Sequence, residues 1–133
     1  MDTGTLTAVS EEPIDRPPWF IYQGYELDGD KESWPFHVSR GTKVKISPAF
    51  VKANRLQSSK ASFMWAAARP HDYHNSLGQK VRDKARTPFG FASGVHEYSG
   101  LRTQTLDINT NALILESIAY IKNGRRPLRM PDE

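Results

Sequence analysis

Apolar residues recur at helical spacing only after residue 58. From Ser58 to Ala68, Ala61, Met64, Trp65 and Ala68 fall on one stripe, with Ser58 or Ser59 placed to cap the helix and Pro70 to close it. A second helix starts at Asp72 as cap, carries Tyr73, Leu77, Val81 and Ala85 at steps of four, and ends before Pro88. Its other face, Lys80, Arg82, Asp83, Lys84 and Arg86, reads as solvated surface. The third helix lies within Asp107 to Leu128, with Asn109 or Thr110 as cap, Gly124 as the left-handed terminal residue and Pro127 as a stop. On its wheel Asn109, Ala112, Glu116, Tyr120 and Asn123 form a narrow polar stripe, while Leu113, Ile114, Leu115, Ile118 and Ile121 fill the remaining circumference. That distribution predicts the most buried helix of the chain, with Ile118 in its core and Glu116 at the centre of its polar seam.

Before residue 58 the texture differs. Residues 1–16 are small, polar and acidic without a period, and read as a disordered lead-in. From Pro17 to about Gln57, aromatics mix with Gly, Pro and Asp; this predicts loops with brief extended pieces at Phe20–Tyr25 and Lys43–Ile46. Such a long stretch is unusual in a compact domain unless it has a role or leans on a partner. Between Gly90 and Asp107 the alternation around the "SG" pairs predicts a short hairpin or tight loop. The expected organisation is a lead-in over 1–16, one domain over 17–128 and a tail over 129–133.

Composition narrows the picture. With 133 residues of which 38% are hydrophobic, the chain is long enough for one domain whose core must come from a few segments. The absence of cysteine excludes disulfides and thiolate metal sites. The first residues carry acids and no apolar run, so no signal peptide is expected, and no stretch is long enough to span a bilayer. The net charge of +3 conceals an asymmetry: residues 1–32 hold eight of the 15 acids and only two of the 18 bases. The basic remainder, densest at Lys122, Arg125, Arg126 and Arg129, suits either a helix C-terminus or an anionic partner. Nucleic acid is the least favoured partner, because the aromatics lie mainly in the first half and the cations elsewhere.

The order of four motifs, "PWFIYQG", "SSKASFMWAAARPHDYHNSL", "GFASGVHEYSG" and "INTNALILESIAYIKNGRRPL", resembles the C-terminal part of the bacterial domain-of-unknown-function 3131 family. The resemblance covers about Pro17 to Leu128, and the last string is its most specific part. It implies a mainly α fold, a glucoamylase-like α/α toroid with a central groove, of which this chain would supply about three helices together with a loop-rich N-terminal half and short β-hairpins. It also implies an extracytoplasmic, carbohydrate-associated role in glycan binding or glycoside processing, in a truncated or split form whose remaining helices come from a separate chain. A non-catalytic structural or interaction piece is the alternative. Ala66 stands where the family pattern leads one to expect a polar residue such as His.

Glycan recognition needs aromatic faces and hydroxyl-binding polar groups, and glycoside hydrolysis needs two carboxyls with differently tuned pKa values. The aromatics on offer are Trp19, Trp34, Trp65, Tyr73, Phe91 and Tyr98. Glu97, in a glycine-flanked loop, and Glu116, on the polar seam, are the catalytic candidates; Trp19, Trp65, Tyr98, Asn109 and Tyr120 are the substrate-binding ones. The bland readings pair Glu97 with Arg102 and set Glu116 against Arg125 or open water, and Asp107 organises the turn before the third helix. His71 and His74 lie one helical turn apart but lack a third ligand, so no metal site is expected, and nothing calls for a cofactor.

Overall fold

The computed structural model describes residues 6–24, 26–28, 31–33, 35–39 and 41–127. Expectations that fall on Tyr25, Trp34, Arg129, residues 1–5 or the tail 129–133 lie outside the described residues. In chain order the elements are β1 (Glu11–Pro13), β2 (Phe20–Gln23), β3 (Glu26–Asp28), β4 (Lys31–Ser33), β5 (Phe36–Val38), α1 (Pro48–Asn54), β6 (Leu56–Ser58), α2 (Ser59–Ala68), α3 (Asp72–Lys84), β7 (Arg86–Thr87), β8 (Gly90–Phe91), β9 (Gly94–His96) and α4 (Ile108–Lys122). The strands form an antiparallel sheet in the order β1-β2-β5 and three two-stranded ladders, β3-β4, β6-β9 and β7-β8. The expectation of a mainly α, partial toroid is therefore corrected: this is a small mixed α/β domain. The partner chain expected to complete a toroid rested on that architecture. The strands are two to four residues long, too short for alternation to stand out in sequence, and they are held by backbone pairing.

Polar caps fix the helix starts. Ser47 Oγ accepts from Phe50 N at the head of α1, with Pro48 in the first turn where its missing N–H costs nothing. Ser58 Oγ accepts from Ala61 N. His71, rather than Asp72, caps α3 through Nδ1, and Asp107, rather than Asn109 or Thr110, caps α4 by accepting from Thr110 N at 2.8 Å. Gly124 does take the left-handed conformation beyond α4.

The main apolar cluster joins Phe63 of α2, Val81 and Ala85 at the end of α3, Ala92 and Val95 around β9, and Ile114 of α4, with Phe91 and Ile118 at its edge. Phe63 and Phe91 meet edge to face, with centroids 5.2 Å apart. A second cluster, Ile14, Ile21 and Leu56, ties the three-stranded sheet to β6. There the Gln23 amide imitates a strand partner, donating to Leu56 O at 3.2 Å and accepting from Leu56 N at 3.0 Å.

Two expectations about burial change. Leu6 to Arg16 is packed: Ala8, Glu12 and Ile14 are buried, Ser58 N donates to Ala8 O, Ser93 Oγ donates to Pro13 O, and Gln104 N donates to Asp15 Oδ2. Nor is α4 wrapped on most sides. Its buried face is Thr110, Ile114 and Ser117, whereas Ile118 is only partly buried and Leu115 and Ile108 are 66% and 89% exposed. α4 packs chiefly on α2, so its apolar residues on the far side stay open. The most enclosed helix is α2, with Ser59 to Phe63 buried in succession.

The β6-β9 ladder depends on Gly94. A Cβ there would lie 2.7 Å from Gln57 O and 3.3 Å from Leu56 Cβ, both on the paired strand or its backbone. Gly94→Ala is expected to destabilise the fold by about 1–3 kcal/mol, as overpacked buried sites do. An unchanged urea midpoint would contradict this close packing.

Candidate functional site

Small residues on α2 leave space between it and its neighbours. Ala67, Ala68, Met64, Leu113, Glu116, Ser117, Tyr120 and Pro127 line a concavity of ≈ 460 Å³ between α2 and α4. A second, of ≈ 490 Å³, is lined by Val9, Ser10, Glu11, Lys60, Ala61, Trp65 and the same Met64, Ala68 and Leu113. Because the two share three residues, they form one trough running beside α2 from Lys60 to Ala68, roughly 12 Å at the helical rise. Its floor is apolar. Glu11 and Lys60 occupy one end, joined by a 3.6 Å ion pair, and Glu116 and Tyr120 occupy the other.

Trp65 is 46% exposed in this trough and is held from one side by His74, stacked at 5.3 Å with the rings 15° apart. His74 is itself fixed by a 2.6 Å bond between Nδ1 and Arg69 O. The indole is therefore presented in a set orientation, with little side-chain freedom left for a ligand to remove.

Glu97 and Tyr98 sit elsewhere. Glu97 Oε2 pairs with Arg55 Nε at 3.3 Å, rather than with Arg102, and Lys52 Nζ lies 4.2 Å from the centre of the exposed Tyr98 ring. Nearby, Arg16 donates to Asn54 Oδ1 and Ala53 O, and its Nη2 lies 3.4 Å from His96 Nε2. Burial first, then the Arg16 charge, holds the His96 pKa below its usual range. Trp19 is exposed in the turn that follows Arg16. Asn109 is exposed in the first turn of α4 and lines neither concavity. The structure thus gathers Trp65, Glu116 and Tyr120 around one trough, and leaves Glu97 with Tyr98 at another end. In His71 the Nδ1 lone pair is taken by Tyr73 N, so "HDYH" serves the helix start. Among the described residues no three His, Asp or Glu side chains converge as metal ligands.

A family model described as a protein of unknown function, DUF3131, matches residues 1–124. The chain belongs to the DUF3131 family. No curated protein and no solved structure matches it. Among the described residues no helix is long and apolar enough to cross a membrane.

This DUF3131 chain also contains a buried carboxyl that the sequence reading missed. Glu12 is fully enclosed; its Oε1 is hydrogen-bonded to Ser58 Oγ, and its Oε2 has no partner. Desolvation pushes its pKa up to about 8 against the opposing influence of Ser58 and Lys60, with Asp107 and Glu11 adding to the rise. The group is thus mainly protonated at neutral pH. A signal was present: Ala8, Glu12 and Ile14 share the parity of one strand face.

The sign of its pH effect follows. Between the ordinary value of 4.5 and about 8, the folded chain keeps a proton that the unfolded chain releases, so rising pH favours unfolding. The contribution is fully present below 4.5 and is lost as pH rises through about 8, a change on the order of a few kcal/mol. Glu12→Gln keeps the neutral shape. The difference in stability between parent and variant should shift in the variant's favour as pH rises, and a pH-independent difference would refute the buried acid.

Proposed function

We propose that this DUF3131 chain is a glycan-binding module whose working surface is the trough between α2 and α4. The observation that supports it is Trp65: an immobilised indole, half exposed in an elongated concavity, is the platform that sugar C–H faces stack on. Glu116 and Tyr120 at one end, and Glu11 and Lys60 at the other, are placed to bond hydroxyls. In this reading Glu116 binds substrate, and Glu97, away from the trough, belongs to the Arg55 ion pair. Few polar groups line the floor, so the affinity expected is weak, millimolar or about -4 kcal/mol.

Titration with short glucans tests this through tryptophan fluorescence. The parent should respond saturably, Trp65→Phe should lose most of the response, and Glu116→Gln should weaken binding several-fold, while Glu97→Gln should leave it unchanged. A silent parent, or a response that survives Trp65→Phe, would remove the glycan reading. That result would favour a structural interaction piece instead, which the exposed stripe of Ile108, Ala112 and Leu115 on α4 suits.

A further inference from the structure

The opposite flank of the α2-α4 pair has a different character. Here a concavity of ≈ 390 Å³ opens between α3 and α4, floored by Phe63 of α2 and Ile118 and Ile121 of α4. Arg82, Lys122 and Arg125 line it, together with the amides of Asn75 and Gln79. No carboxylate lines it. The adjoining acid is Asp83, which accepts from Gln79 Nε2 at 2.8 Å. Among the described residues Arg82 and Lys122 form no ion pair, and the Arg125 side chain donates through Nε to Ala67 O at 3.3 Å.

Arg125 is held there by the backbone. After Gly124 turns left-handed, Arg125 also adopts a positive φ of 59°, and its N–H donates back to Tyr120 O. This conformation is unfavourable for a side-chain-bearing residue, yet it folds the arginine onto the end of α2. Helix termini account for part of the charge only. Arg82 and Lys122 lie in the last turns of α3 and α4, and each helix end presents about half a negative charge, against three full positive ones. The end of α2 beneath Arg125 adds about a further half charge, and a net positive charge still remains at the mouth of an apolar-floored pocket.

We infer that this concavity binds a phosphorylated small molecule, a phosphomonoester or diphosphate attached to a ring-sized organic body. The guanidinium forks of Arg82 and Arg125 match phosphoryl oxygens in pairs, and Lys122 adds a point charge. Phe63, Ile118 and Ile121 accommodate the organic body, while Asn75 and Gln79 can bond its polar edge. The volume exceeds what a bare phosphate fills and falls in the range of small-molecule sites.

Calorimetric titration of the full chain at low ionic strength with inorganic phosphate, pyrophosphate and phenyl phosphate tests the assignment. Phenyl phosphate should bind more tightly than inorganic phosphate, and should perturb the side-chain amide resonances of Asn75 and Gln79. Arg82→Gln and Arg125→Gln should each weaken it about tenfold, the scale of one charged hydrogen-bonding partner. Lys84→Gln, on α3 but outside the pocket, should leave it unchanged. Circular dichroism checks the fold of each variant, and Lys122→Gln replaces Arg125→Gln if the latter unfolds. Equal affinity for phosphate and phenyl phosphate, or insensitivity to Arg82→Gln, overturns the pocket. So does a single-stranded oligonucleotide that outcompetes phenyl phosphate and responds equally to Lys84→Gln, because that pattern marks a diffuse basic surface.

Discussion

Ser58 joins three parts of the chain through all of its polar groups. Its N–H donates to Ala8 O, its hydroxyl accepts from Ala61 N and meets the Glu12 carboxyl, and its carbonyl accepts from Ser62 Oγ at 2.6 Å. These bonds start α2, end β6 and anchor the N-terminal segment together. The α2 wall of the trough follows from where that helix starts, since Lys60, Ala61, Met64, Trp65 and Ala68 are set by its first turn. The buried Glu12 is the cost of this junction. A carboxyl supplies the bond, but it is mainly uncharged at neutral pH because burial strips its hydration and little compensating charge reaches it.

The two concavities have a common origin in α2. Its alanines at 61, 66, 67 and 68 are too small to fill the gaps beside the larger residues of α3 and α4. On one flank the gap is met by Trp65, Tyr120 and Glu116; on the other, by Arg82, Lys122 and Arg125. A helix rich in small side chains can therefore serve two chemically opposed surfaces without a change of fold. The absence of a polar residue at Ala66 matters less on this view, because Ala66 contributes space rather than chemistry.

What was legible in the sequence followed period and punctuation. The three long helices were marked by their stripes, Pro70 and Gly124, and the extended piece at Phe20 emerged as β2. α1 was missed because seven residues, PAFVKAN, scarcely complete two turns and show no repeat. The orientation of α4 was misread because apolar residues occur on several sides of its wheel; which side is buried depends on its chief neighbour α2 and on Thr110 and Ser117, whose small side chains permit close approach. The toroid inferred from resemblance failed for the related reason that three helices admit many packings. Of the candidate residues, Trp65, Glu116 and Tyr120 were brought together by α2-α4 packing. The position of Glu97 depended on β6-β9 pairing, a contact between distant segments that spacing does not encode.

The N-terminal segment imposes an order on how the chain can reach its final state. Its bonds link Glu12 to Ser58, Pro13 to Ser93 and Asp15 to Gln104, at separations of 46, 80 and 89 residues. Loops of that length must close before the contacts repay their entropy. During synthesis β1 can pair with β2 as soon as both have emerged, but the bonds that dock the segment on the rest of the fold are completed only when the chain beyond residue 104 has left the ribosome. Glu11, Glu12 and Asp15 give the segment a negative charge, which opposes pairing of β1 with another copy of itself.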